Sequence, residues 1–367
     1  MPSRLITLAA ITLILAGCQA APRPADGASK VNALAARSVG KNWSEIPAPA
    51  DNPVTQAKVE LGFRLWFEPR LSGNNRMTCA TCHHHMKGYS NGESNAAGIN
   101  GQRGDRNVPT IYAAAGSHEQ FWDGRARSLE EQALGPIENP IEMDARLPDV
   151  IRKLEAHPYY PQKFQQAFGT GVTADGIAKA IASFERALTV KPSAYERFWA
   201  GDRDALTEQQ KAGMAIFNSP RGRCVACHSG PDLTDRGYHN IGVGFDKPDR
   251  SGRDLGRYVV TRKDEDYGAF KTPTLRNVAL SAPYMHDGSL ATLEDVVAFY
   301  NQGGHDNPNL DPRISPLRLS PEEQAALVAF LEALTGPDNL KDMGKLPGIP
   351  NPKGVNGSMT VPADLLR

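Results

Sequence analysis

The sequence predicts a mainly α-helical protein built in two similar halves, and three observations predict it. Apolar residues recur at three- and four-residue intervals over 149–156, 174–187, 206–217, 293–300 and 321–334. Alternating strand patterns are few. A Cys-x-x-Cys-His pentapeptide occurs at 79–83 and again at 224–228, 145 residues later (224 − 79), each led in by a helical stretch carrying Gly and Phe.

Composition agrees with two domains. At roughly 100–200 residues per domain, 367 residues make about two. An apolar share of 40% with 22% charged residues is ordinary for a chain that buries a core. With 41 Lys+Arg against 41 Asp+Glu there is no basic excess to release counterions, so nucleic acid is not an expected partner. Past residue 20 no apolar run approaches the ~18 residues that span a membrane. The 34 Gly and 28 Pro imply many shaped loops.

Taken in chain order, residues 1–18 read MPSRLITLAAITLILAGC. Arg4 begins a secretory signal whose apolar run is Leu5 to Leu15. Leu15-Ala16-Gly17-Cys18 resembles a bacterial lipobox, which makes Cys18 the lipidated mature N-terminus and explains an odd count of 5 cysteines. Gln19 resembles the residue of lipoproteins passed on to the outer membrane. The expected location is therefore the periplasmic side, held by a lipid anchor only. Residues 19–45, rich in Ala, Pro, Ser and Gly, read as a flexible tether. Two domains are expected at 46–200 and 201–336, and 337–367 reads as an irregular extension. Thr173 before Ala174, and Ser320-Pro321-Glu322-Glu323, are helix start signals: a capping hydroxyl, Pro in the first turn and early acids suit an N-terminus.

The pentapeptides carry the chemistry. Residues three and four apart share a helix face. Cys79 and Cys82 can therefore add to the two vinyl groups of one haem while His83 turns to its iron, and Cys224, Cys227 and His228 can do the same for a second. A zinc site would need four converging ligands, and a redox dithiol would want a βαβ context that is absent.

Longer stretches resemble one family. CATCH (79–83), GDRNVPT (104–110), FWDGRARSLEEQALGPIENPIEM (121–143), CVACH (224–228) and FKTPTLRNVALSAPYMHDGSLATLEDVVAFYNQGG (270–304) resemble the bacterial di-haem cytochrome c peroxidases and their MauG-like branch, over about residues 46–336. The resemblance implies two cytochrome c-like helical domains, each with one covalent c-type haem, packed around an interdomain calcium site. It implies that haem one meets peroxide, with Glu142 of the Asn-Pro-x-Glu-Met stretch as acid/base, a burial-raised carboxyl suiting that task. Gln132 and Pro136 would help line the distal side. Many members block the first iron with a His from the loop after the first motif. Here only His118 lies between Met86 and Gln120, beyond the expected stretch, and His84 and His85 sit too close to the proximal His83. Haem one is thus expected to be open at rest.

Haem two would be the electron-input site. Its sixth ligand in the family lies fourteen residues beyond the His of Tyr-x-His-Asp-Gly, which from His286 is Tyr300, with Met285 as the alternative. The MauG-like branch carries Tyr there, an anionic donor that lowers the reduction potential relative to a thioether. Trp122 resembles the relay between haems, and His286 a residue near the haem-two propionates. Asn107, with the main-chain carbonyls of Ser281 and Pro283, would hold the calcium ion, since hard oxygens suit it.

Three functions follow. The first is a peroxidase reducing hydrogen peroxide to water with electrons from a small c-type cytochrome or cupredoxin. The second is a MauG-like oxidase of protein side chains acting through a bis-ferryl state. The third is a non-catalytic electron-transfer cytochrome. The resemblance also leaves room for a homodimer.

Overall fold

The computed structural model describes residues 47–188, 192–246 and 253–336. Cys18, the 19–45 segment and the 337–367 tail lie outside the described residues. The principal helices are α1 (Gln56–Trp66), α2 (Leu129–Glu138), α3 (Leu147–Glu155), α4 (Tyr160–Phe168), α5 (Ala174–Ala187), α6 (Ala194–Trp199), α7 (Glu208–Asn218), α8 (Leu293–Gln302) and α9 (Pro321–Glu332). Among the described residues the only sheet pairs Tyr238–His239 antiparallel with Phe270–Lys271. None of their helices is long and apolar enough to cross a membrane.

Caps fix the helix starts. Thr173 accepts from the Gly176 N–H at 2.9 Å, which begins α5 where expected. At α9, Ser320 accepts from Glu323 N–H while the Glu323 carboxylate accepts from Ser320 N–H, a reciprocal capping box. Thr207 and Gln210 close the same box on α7, which therefore starts at Glu208 rather than 206. Helix α3 opens earlier than its apolar spacing, at Leu147, because Pro148 is at home in a first turn. The helices α2, α4 and α6 have no counterpart in the apolar spacing. In α2 the Gly135-Pro136 pair hides the pattern, and Pro136, in the last turn, gives up one N–H bond of the ladder without ending the helix.

The two halves repeat one packing device. On α1, Gly62 faces the Ala180 carbonyl and Phe184 Cβ of α5; on α7, Gly213 faces the Ala326 carbonyl and Phe330 Cβ of α9. A Cβ at either glycine would overlap the carbonyl oxygen, so only Gly allows the helices this close. One turn on, Trp66 meets Phe184 with ring centroids 5.3 Å apart, and Phe217 meets Phe330 at 5.2 Å. Around these crossings lie two apolar cores, the first including Leu65, Tyr89, Ile137 and Phe164, the second Val297, Leu327 and Leu334. Helix α6 joins the second core, where Tyr195 packs on Phe330.

Charged hydrogen bonds tie the halves together. Arg106 grips Asp254 bidentately at 2.6 and 2.9 Å and reaches Asp123 at 2.7 Å. Arg257 bonds Glu119 at 2.9 Å and the Asp123 and Gly124 carbonyls. Lys271 N–H donates to the Trp122 carbonyl at 2.8 Å, so the small sheet of the second half holds the Trp122 loop of the first.

Candidate functional site

Each pentapeptide winds into one helical turn. His83 N–H donates to the Cys79 carbonyl at 2.9 Å, and His228 N–H to the Cys224 carbonyl at 2.8 Å. The turn puts both thiols and the imidazole on one face, as the spacing requires. Cys79, Cys82 and His83 line a cavity of about 250 Å³, and Cys224, Cys227 and His228 line a second of about 210 Å³.

The histidines are oriented alike. His83 Nδ1 bonds the Tyr89 carbonyl at 3.0 Å, and His228 Nδ1 bonds the Leu233 carbonyl at 3.2 Å. A carbonyl only accepts, so Nδ1 carries the proton and Nε2 keeps its lone pair for a metal. Burial lowers both imidazole pKa values, which keeps them neutral, the form a metal binds. None of the four thiols is paired in a disulfide. Burial pushes Cys79 up to about 12, and Cys82 and Cys224 up to about 11. Such thiols are poor thiolate nucleophiles, which argues against a redox dithiol. Among the described residues, the one trio of converging metal-ligand atoms is Cys227, Asp235 and His239; it includes no member of the first pentapeptide and only Cys227 of the second, so neither pentapeptide forms a four-ligand zinc site. Free thiols, neutral imidazoles with an available Nε2 and a roomy cavity beside each fit two covalent haems.

Glu142 faces the first cavity, with Gln132, Pro136 and Met143. The turn after α2 positions it: Asn139 caps the helix, accepts Glu142 N–H at 3.0 Å and donates from Nδ2 to Glu142 Oε1 at 2.7 Å. Ile99 N–H holds the Glu142 carbonyl at 2.8 Å, and Gly98 lies so near the Ile141 carbonyl that a Cβ would clash. Burial raises the Glu142 pKa, opposed by the Asn139 hydrogen bond and the Arg125 charge. His83 is the only imidazole among the residues lining this cavity; His84, His85 and His118 do not reach it, and the first two stack on each other.

Tyr300 and Met285 both line the second cavity, with His286. Burial, then the nearby Cys224 and Cys227, raises the Tyr300 pKa, so the phenol stays protonated unless a cation draws the proton off. His286 is pushed down to about 4 by burial and lies flat on Phe270, centroids 3.5 Å apart.

Trp122 lines both cavities, as do Asn107 and residues 271–274, and together they form the wall between. Trp122 Nε1–H donates to the Asn107 carbonyl at 2.9 Å. The Asn107 backbone N–H reaches the His286 carbonyl at 2.7 Å, and its Nδ2 bonds the Glu93 and Ser94 carbonyls at 3.0 and 3.3 Å. With Nδ2 committed there, Oδ1 is the atom Asn107 would offer a cation. Ser281 and Pro283 line the second cavity together with Asn107.

One lining residue escaped the sequence reading. Glu185 of α5 faces the first cavity, buried, beside Ile181. The pattern Ile177, Ile181, Glu185 at four-residue steps was the available signal, since it puts a carboxyl in the buried stripe.

A protein-family model described as "Di-haem cytochrome c peroxidase" matches residues 56–204. The methylamine utilization protein MauG of Methylorubrum extorquens is 37% identical, over 86% of this chain and 89% of that one. The cytochrome c551 peroxidase of Pseudomonas aeruginosa is 38% identical, over 77% of this chain and 80% of its own length. Among solved structures, a MauG-like protein associated with microbial copper homeostasis superposes with a TM-score of 0.75 at 29% identity, covering 86% of this chain and 100% of that one. With the paired pentapeptides and their two cavities, these likenesses place the chain in the di-haem cytochrome c peroxidase and MauG family.

Proposed function

We propose that the chain reduces hydrogen peroxide to water, two protons and two electrons per peroxide, the electrons arriving singly from a small c-type cytochrome or cupredoxin. The observation that carries this is Glu142, a carboxyl of raised pKa facing a cavity whose only imidazole is the proximal His83. Cys79, Cys82 and His83 would hold haem one, which would supply the iron that activates peroxide. Glu142 Oε1 is held by Asn139, so Oε2 is the atom that takes the proton from the inner peroxide oxygen and returns it to the outer, leaving one. Gln132 helps to orient the peroxide. His228 and Tyr300 would hold haem two, and Asn107, Ser281 and Pro283 would hold a calcium ion that braces the wall between. Cys18 tethers the protein to a membrane on its periplasmic side. Steady-state oxidation of a reduced small cytochrome by peroxide tests the reading, and a rate no greater than that of free haem would overturn it.

Trp122 is the electron relay across the shared wall. Trp122→Phe keeps the packing and removes the indole, so electron transfer from haem two to haem one should slow at least tenfold while reduction of haem two by the donor is unchanged. Stopped-flow absorbance at two wavelengths resolves the two steps. Equal inter-haem rates in both proteins would remove Trp122 from the path.

A second reading is favoured by Tyr300, the phenol beside His228 in the second cavity. There the oxidising equivalents are drawn from a partner protein's side chain, as the similarity to MauG suggests. Adding peroxide to the oxidised protein without donor separates the two: a long-lived change at both haems supports side-chain oxidation, and rapid return to rest supports the peroxidase.

A further inference from the structure

The repeated packing gives the cavity-facing positions at the α5 crossing counterparts on α9. Gly62, Ala180 and Phe184 match Gly213, Ala326 and Phe330. The residues after Ala180 and Ala326 are Ile181 and Leu327, both lining their cavities. The residues after Phe184 and Phe330 are Glu185 and Leu331, again both lining. The position that is leucine beside haem two is thus a carboxylic acid beside haem one. Glu185 is only 4% exposed, and its Oε2 is buried with no hydrogen-bond partner. An unsatisfied buried carboxyl oxygen is costly, and Glu185 lines the first cavity.

We propose that Glu185 is the proton-holding partner of haem one, taking up one proton when that iron accepts one electron and releasing it when the electron leaves. The reduction is then one electron and one proton together: ferric iron with a Glu185 carboxylate becomes ferrous iron with a Glu185 carboxylic acid. The added electron removes a positive charge from the haem and so strengthens the acid's hold on its proton.

The surroundings compensate this charge only in part: besides burial, Arg186 lowers the Glu185 pKa and Glu130 raises it, while Arg106, Arg236 and Lys271 are the cations that line the cavity beside Arg125. Arg186, next in the chain, turns both guanidinium nitrogens onto Glu130 of α2, at 2.6 and 2.9 Å. On α1, Lys58 bonds Asn52 and the Pro53 carbonyl, and Arg64 lies over the Tyr159 ring. The short helix Ala114–Gly116 brings no titratable side chain. The Cys79 thiol is neutral and becomes a thioether with haem, and Glu142 and Arg125 line the same cavity. Burial pushes the Glu185 carboxyl up to about 8, so it can change charge near neutrality. A raised folded pKa also costs stability as pH climbs from the unfolded value of about 4.3 through 8.

The test is a spectroelectrochemical titration of the holoprotein between pH 6 and 10 for wild type, E185Q, E185L and E142Q. Wild-type haem one should lose up to tenfold in its reduction equilibrium per pH unit, ~59 mV for one electron. In E185Q and E185L this slope should flatten, and haem two should be unaffected. E185Q should also melt above wild type by a margin that widens from pH 5 to 8. A wild-type haem one without slope, a slope kept in E185Q, or a slope lost only in E142Q would each overturn the proposal. E185L copies the residue that haem two already has, and E185Q keeps the shape, so a misfolded leucine variant leaves the glutamine arm decisive. The inference rests on haem one filling its cavity and not on peroxide being the substrate: failure of peroxide turnover would leave the slope in place.

Discussion

Glu142→Gln should lower peroxide turnover by about 10²–10⁴-fold, the usual loss when a positioned acid/base is removed. Glutamine keeps the Oε1 that Asn139 holds and replaces the proton-carrying Oε2 with an amide that cannot take a proton. The variant should therefore fold, carry both haems and accept electrons from the donor at the wild-type rate. In wild type, Glu142 must be ionised to start the cycle. Because burial raises its pKa, kcat/KM should fall on the acid side with a midpoint above the ordinary carboxylate value of about 4.3, and the small residual rate of E142Q should not show that limb. Steady-state kinetics across pH with a reduced small cytochrome checks both. A variant with wild-type turnover would remove Glu142 from the chemistry and favour a simple electron carrier.

Gly62→Val should destabilise the first half by about 3 kcal/mol or more. Overpacking a core generally costs ~1–3 kcal/mol, and here the obstacle is the Ala180 backbone carbonyl, which cannot swing aside like a side-chain tip. Helices α1 and α5 would have to part, and they bring Trp66, Ile181 and Glu185 to the first cavity. Loss of stability should thus come with loss of haem one while haem two is retained. Thermal unfolding with a haem count per chain measures both effects. Gly171→Ala, where a Cβ meets nothing within 4 Å, should be neutral and serves as the control. A valine variant with the wild-type melting temperature would show that the crossing is not close-packed.

Much of the site was legible because its chemistry is local in the chain. A Cys-x-x-Cys-His turn needs no distant residue to set its geometry, and both copies wind as their spacing requires. Helix starts marked by Thr173 and Ser320 were readable for the same reason: a cap bonds a neighbour three residues on. Glu142 was reachable only through its resemblance to a longer motif, because nothing in one carboxyl reveals which cavity it faces. The wall between the cavities was harder still. It joins Asn107, Trp122 and residues 271–274, brought together by contacts such as Lys271 with the Trp122 carbonyl. Glu185 was missed for a different reason. Its helix was predicted, but the apolar spacing counts hydrophobic residues and passes over a carboxyl that occupies one of their places.

Low-temperature EPR of the oxidised holoprotein reads the unlike surroundings of the two haems most directly. The first cavity holds no imidazole besides His83, whereas the second holds the Tyr300 phenol as well as its own His228. The expected spectrum holds one high-spin haem and one low-spin haem, with the low-spin signal altered in Tyr300→Phe and the high-spin signal untouched. Two low-spin haems with no high-spin component, or a low-spin signal indifferent to Tyr300, would contradict it.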